Sequence, residues 1–335
     1  MRRNRIARKK QKGGGSGRVR IYSQAMRNGV CNSVCPGSLE MYCRPPAGDC
    51  DFITPVRASS GMSCAAFTFL ELFVVLAMLG LLLAVLSPAL ARSKPDMYAL
   101  GCRNNLAQLT KAWTMYAEDN GGALVWNRDG GRAGRTPNDA NWVAGWLDFA
   151  STNTDNTNIN LLIQHDSNTN GAYAWGGFLG PYLKSPIPFK CPGDHSFISI
   201  GGQTLPRVRS YSMNNLTGTG VRSWTTPSKY PLFNQMQDIS SPGNVFVFLD
   251  EAEGCINDGV FFTDADTRYQ LIDYPAGRHG WAGSLSYADG HCETHRWRDT
   301  RTVPLLPAGQ PLPLNLNLPG DVDVIWLSNH AVGQP

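Results

Sequence analysis

Nineteen consecutive residues from Leu72 to Leu90 carry no charge, and they begin directly after a lone acid, Glu71. At ~1.5 Å of rise per residue, such a run can cross a hydrocarbon core of ~30 Å as a helix. Apolar side chains fall on every face of it, which argues against an ordinary surface helix burying one stripe. The apolar part of a cleaved secretory signal is usually only ~7–15 residues, and no A-x-A site stands at the right place downstream. The run therefore reads as a membrane-spanning segment over residues 67–91. Arg92 and Lys94 follow it closely and Arg57 precedes it, so short-range charge does not set its orientation.

Beyond the run the period changes. Leu100, Leu106, Leu109, Trp113 and Tyr116 recur at helical steps and form one stripe, so residues 92–120 read as an amphipathic continuation of the same helix. Glu118-Asp119-Asn120-Gly121-Gly122 supplies its end, with glycines able to take left-handed backbone geometry. Pro88 removes one helix hydrogen bond and clashes with the carbonyl of residue 84, which predicts a kink or local melting there. From about residue 121 to 300 the text becomes short apolar runs broken by Gly, Asn, Asp and Pro, the signature of strands and long loops. Asn244–Leu249 (NVFVFL) reads as a fully buried strand. Leu285–Trp297 reads as a hairpin closed by a two-residue type I′ turn at Asp289-Gly290. Residues 301–335 read as a Pro-rich tail whose stretch Val322–Leu327 packs back on the domain.

Charge is divided unevenly. The chain has a formal net charge of +4, yet residues 1–66 alone hold twelve basic and three acidic residues. The remainder is mildly acidic. Residues 1–66 thus form a basic leader without apolar periodicity, expected to be disordered, with Met41 and Met62 as alternative starts. The folded part presents no basic face, which excludes a nucleic-acid partner. Of the nine cysteines, Cys102, Cys191, Cys255 and Cys292 follow the apolar run. In an oxidising compartment these four allow three disulfide pairings, among which spacing does not choose.

Several groupings are candidates for chemistry. Asp250, Glu251, Glu253, Asn257 and Asp258 crowd oxygen donors after the buried strand, as a calcium loop would; a solvated acidic turn has the same composition. His291, Glu293 and His295 alternate on one face of the second hairpin arm, which suits either zinc or ordinary polar patterning. Trp142, Trp146 and Trp175, beside Gly and Asn, suit a sugar-stacking surface or a core. No Ser or Cys stands in a recognisable nucleophile context, so no enzymatic activity is expected.

The segment Ala66-Phe67-Thr68-Phe69-Leu70-Glu71 resembles the prepilin-peptidase site of type IV pilins and type II secretion pseudopilins. The resemblance implies cleavage between Ala66 and Phe67 and N-methylation of Phe67. It places Glu71 at the fifth mature position and Pro88 at the twenty-second. The chain is further similar to a large subgroup with a motif of His, nine residues, then Asp-Gly, here His279, Asp289 and Gly290. Cys102-Arg-Asn-Asn-Leu106, Phe189-Lys-Cys-Pro-Gly-Asp194, Arg209-Ser-Tyr-Ser-Met-Asn214 and Phe248-Leu-Asp-Glu251 also look like segments of that subgroup.

The resemblance implies an α+β fold: a long N-terminal transmembrane and spine helix packed on a C-terminal antiparallel β-sheet domain with long loops. It implies a single-pass inner-membrane protein with the C-terminal domain in the periplasm. Its partners would be the prepilin peptidase, other pilin or pseudopilin subunits, the inner-membrane assembly platform and the lipid bilayer. Its role would be structural, in a filament of a type II secretion or type IV pilus-like system. A carboxylate at Glu71 is costly in hydrocarbon unless compensated. Cleavage before Phe67 creates an α-amine that a neighbouring subunit could offer to Glu71, making it an assembly residue. No cofactor is certain on this reading, calcium being the one candidate. The competing class is a membrane-anchored periplasmic glycan-binding protein that never polymerises.

Overall fold

Thr68 starts a helix because its side chain and that of Glu71 cap each other. The Thr68 hydroxyl accepts the Glu71 N–H, and the Glu71 carboxylate accepts the Thr68 N–H, a reciprocal capping box. The computed structural model describes residues 68–164, 173–218, 230, 232–304 and 309–334, with residues 85–95 described in backbone only. The chain divides into Met1–Ala66 and Phe67–Pro335, and the description concerns the second unit. The basic leader and the Ala66/Phe67 processing site lie outside the described residues.

Helix α1 runs over Phe69–Asp119 and its assignment passes through Pro88 without a break. It stops where Asn120 turns back on the carbonyls of Tyr116 and Ala117 and where Gly121 and Gly122 take positive φ, +65° and +89°. Those values suit residues lacking a Cβ. No helix among the described residues is long and apolar enough to cross a membrane. The expected spanning segment over 67–91, and the inner-membrane placement drawn from it, are corrected accordingly.

The second half of α1 is one-sided, as its stripe predicts, with a shift in membership. Ala99, Cys102, Leu106, Leu109, Trp113 and Ala117 are buried, whereas Leu100 points outward. These residues pack on a five-stranded sheet formed by β3 (Tyr211–Asn214), β4 (Phe246–Asp250), β5 (Val260–Phe261), β7 (Ala282–Tyr287) and β8 (Cys292–Arg296). The strand order is β5-β3-β4-β7-β8. β3 pairs with β5 in parallel, and the other pairings are antiparallel. The sheet is therefore mixed, a correction to the antiparallel expectation. After β4 the chain loops through Glu251–Gly259 to the far side of β3 instead of folding back on β4, so β5 enters parallel to β3.

β4 and β7 are buried along their whole length because both faces are covered. One face meets α1. The other meets helix α4 (Val322–Val332), whose Leu327 and Ala331 pack with Phe246, Leu249, Leu285 and Trp297. The tail thus belongs to the domain's second core. Asp321 caps α4 through the N–H groups of Asp323 and Val324, and Gly333 ends it at φ +76°. One-turn helices α2 (Asn160–Ile163) and α3 (Gly180–Leu183), short 3₁₀ turns and two small antiparallel pairs, β1 (Phe197–Ile200) with β2 (Gln203–Pro206) and β6 (Gln270–Leu271) with β9 (Leu316–Asn317), are also described.

The β7–β8 hairpin is closed by three residues, Ala288-Asp289-Gly290, rather than the expected two. Tyr287 N–H donates to the His291 carbonyl and Gly290 N–H to that of Tyr287, with Gly290 at φ +94°. That is a type I turn followed by a glycine bulge, a common alternative for an Asp-Gly loop.

Candidate functional site

Two places concentrate the residues singled out from the sequence: the start of α1 and a buried constellation where α1 meets the sheet.

At the start of α1, Glu71 is occupied locally. Its Oε2 accepts from the Thr68 N–H at 2.8 Å and from the Thr68 hydroxyl at 3.0 Å. These bonds hold the carboxyl below its ordinary pKa. Downstream, Phe69, Phe73, Leu76, Met78 and Leu81 are all exposed, to 85%, 62%, 57%, 64% and 68%. Monomeric surfaces rarely present so long an apolar run. A Thr three residues before a Glu and just ahead of an apolar run is the sequence signature of this cap.

The constellation draws one group from each of several distant segments. Cys102 comes from α1 and Cys191 from the loop after the 3₁₀ turn Ile187–Phe189. Asp250 ends β4, and His279 sits in the turn before β7. All four are buried, with the His279 and Asp250 side chains wholly enclosed. His279 Nε2 lies 3.3 Å from Asp250 Oδ2 and 3.4 Å from Cys191 Sγ. Cys102 Sγ lies 3.7 Å from the same Asp250 oxygen and accepts from the Tyr211 hydroxyl at 3.2 Å. The four donor atoms all fall within 4.8 Å of one another. Asp250 turns its other oxygen, Oδ1, to the Arg278 guanidinium, which also donates to the Glu251 carbonyl.

A second acid, Asp194, anchors the Cys191 loop. It accepts from the Ser210 hydroxyl at 2.5 Å and the Ser196 N–H at 2.8 Å, with Arg278 and Lys190 each 3.9 Å away. Burial opposes ionisation of Asp194, but Arg278, Lys190 and the two serine bonds outweigh it and hold the carboxyl well below the usual range. Ser210 in turn accepts the Cys191 N–H at 3.1 Å. Burial by itself would lower the His279 imidazole, yet the neighbouring Asp250 and Cys191 raise it to about 9. The Cys102 thiol beside it and burial push the Cys191 thiol up. Two glycines allow the close approach. A Cβ on Gly101 would meet the Pro192 ring at 2.9 Å, and one on Gly193 would meet His279 at 3.3 Å.

The structure separates His279 from Asp289. β7 lies between them, about 20 Å of strand, and Asp289 serves the hairpin turn, accepting the His291 N–H at 3.0 Å. The acid beside His279 is Asp250 instead. The oxygen donors proposed for calcium also part company. Asp250 and Glu251 point to opposite faces of the sheet, as successive strand residues must. Asp250 faces Arg278 and His279, whereas Glu251 faces Cys255, whose thiol donates to it at 3.1 Å. Burial raises Glu251 to about 8. Asp258 accepts from the Gly130 and Val260 N–H groups, Asn257 accepts the N–H of Asp258, and the Glu253 carbonyl accepts from Arg207.

His291, Glu293 and His295 are each taken up by neighbours. His291 stacks on Tyr287, Glu293 accepts from the Tyr287 hydroxyl at 2.6 Å, and His295 stacks on Trp326. Trp142 is a core residue packed against Phe189 and Phe248. Trp146 and Trp175 line different clefts. The four described cysteines are free thiols.

Comparison of this chain with protein-family models, with curated proteins and with solved structures finds no match.

Proposed function

We propose that the chain is a pilin-like structural subunit: a prepilin peptidase cuts it before Phe67, and copies assemble through the exposed half of α1 into a filament of a type II secretion or type IV pilus-like system. The observation that carries this reading is the asymmetry of one continuous helix. Its second half is buried against the sheet, while its first carries large apolar side chains exposed on all sides. In water that surface is strongly unfavourable, at roughly 25 cal/mol per Å² of apolar area. Packing helix against helix among copies covers every face at once, which a single groove on a partner does not.

Glu71 has two states in this reading. In the isolated chain it caps its own helix through Thr68. After cleavage, the α-amine of Phe67 on a neighbouring subunit supplies a charged partner in apolar surroundings, where such a pair also fixes register.

The experiment is photo-crosslinking. A benzophenone side chain introduced at Leu76 in the full chain, co-expressed with a prepilin peptidase and a filament assembly system, yields a ladder of copies joined through α1. The same group at Ile187, exposed on the globular part, yields no ladder. Crosslinks from Leu76 only to unrelated proteins would overturn the assembly reading.

A further inference from the structure

We propose that Cys102, Cys191, Asp250 and His279 bind one divalent transition-metal ion of the zinc class, forming a closed structural centre that ties helix α1 to the sheet.

The spacing of the donors suits a tetrahedral site. Zinc with sulfur at about 2.3 Å, nitrogen at about 2.0 Å and carboxylate oxygen at about 2.0–2.2 Å has donor–donor edges of about 3.3–3.8 Å. Three of the six edges fall at these lengths, 3.3 Å for His279 nitrogen to Asp250 oxygen, 3.4 Å for Cys191 sulfur to His279 nitrogen and 3.7 Å for Cys102 sulfur to Asp250 oxygen, and the other three lie within 4.8 Å. Two sulfurs and an imidazole select a borderline-soft ion over calcium or magnesium, which want six or more oxygens. Without an ion, His279 and Asp250 pair with each other, and the two buried thiols add only weak hydrogen bonds at that point. A cation at that point gives each donor a full bond.

The surroundings are built as a ligand shell is built. Arg278 holds the Asp250 oxygen turned away from the cluster, so Oδ2 is presented alone. The Tyr211 hydroxyl donates to the Cys102 sulfur, as outer-shell donors do to a thiolate. Ser210 fixes the Cys191 backbone while Asp194 fixes Ser210. Charge closes as well. A dication with two thiolates and Asp250 leaves one negative charge, and Asp194 adds another; Arg278 and Lys190 balance both. Binding releases the two thiol protons and that of the imidazolium. The enclosure leaves no position for a substrate, so the centre is structural. The four donors join α1, the Cys191 loop, β4 and the turn before β7, so the ion would fasten the helix to the sheet independently of what the filament does.

The test uses the full chain, purified under reducing conditions from zinc-supplemented cells. The expected result is about one zinc per chain by plasma mass spectrometry. After exchange with Co²⁺, tetrahedral d–d bands and a sulfur-to-cobalt charge-transfer band of two-thiolate intensity should appear. Cys102→Ser with Cys191→Ser should remove the charge-transfer band, while Cys255→Ser and Cys292→Ser keep it. Because the double variant can fail to fold, the wild-type cobalt spectrum stands as a test by itself. Absence of stoichiometric metal in reduced, folded wild-type protein would overturn the proposal. So would a cobalt spectrum without thiolate character, or a Cys102–Cys191 disulfide that persists in reductant.

Discussion

Replacing Asp194 by Asn removes one charge from a nearly unchanged shape and tests how the Cys191 loop is held. The Asp194 side chain is 1% exposed and takes two hydrogen bonds, from Ser210 and Ser196, with Arg278 and Lys190 at 3.9 Å. Hydrogen bonds to a charged group contribute about 1.5–3 kcal/mol each, and breaking a buried charge pair costs about 3–5 kcal/mol. Asn keeps one acceptor, so a loss of about 2–4 kcal/mol is expected at pH 7. The sign of the pH dependence follows from the depressed carboxyl. Its contribution is fully present above the unfolded value of about 3.9 and is lost as pH falls through the lower folded value. Urea unfolding of wild type and Asp194→Asn should therefore differ by a constant amount from pH 5 to 7 and converge progressively below about pH 4. Arg301→Gln, at a half-exposed pair with Asp299, serves as the control and should leave the midpoint unmoved. Equal stability of wild type and Asp194→Asn at pH 7, or a gap that persists unchanged to pH 3, would refute the reasoning.

Other outcomes follow from the same structure. Glu71→Gln retains an acceptor for the Thr68 N–H, whereas Glu71→Ala does not; both should abolish assembly, but only the alanine variant should lose amide-exchange protection at the start of α1. Normal assembly of Glu71→Gln would make the carboxylate a helix cap and nothing more. Gly101→Ala should destabilise by about 1 kcal/mol in thermal unfolding, because crowding against Pro192 outweighs the ~1 kcal/mol gained in helix propensity; a stabilised variant would show that the helix and the Cys191 loop do not touch. Burial raises Asp258 to about 6 against the pull of the Gly130 and Val260 N–H groups. A folded value raised above about 3.9 means stability falls as pH rises from about 4 to 6, by up to about 3 kcal/mol, and is level above that. Asp258→Asn should lack this part of the slope in urea titrations across the range.

What the sequence disclosed depended on the distance over which each feature is decided. The stripe Leu106, Leu109 and Trp113, the glycine stop after Asp119 and the apolar strand ending at Leu249 are written in neighbouring residues, and periodicity finds them. The turn at Asp289-Gly290 was visible but its length was not, because the third residue, Ala288, carries no turn chemistry of its own. The parallel pairing of β5 with β3 rests on the path of the loop after β4, which no local pattern encodes.

The buried constellation was the least legible of all. Cys102 and Asp250 are 148 residues apart, and Cys191 and His279 are 88 apart. Each donor sits in a different local motif, and in sequence the motif of His279 pairs it with Asp289. The fold brings it Asp250 instead. The calcium grouping failed in the opposite way, since Asp250 and Glu251 are adjacent in sequence and the strand sends them to opposite faces.

On the proposed function, Phe67 becomes a mature N-terminus from which α1 assembles. Intact mass and N-terminal sequencing of the full chain, after co-expression with a prepilin peptidase, test it most directly. The expected product is a chain beginning with N-methylated Phe67; a chain that remains uncut, or is cut elsewhere, would refute assembly from that terminus.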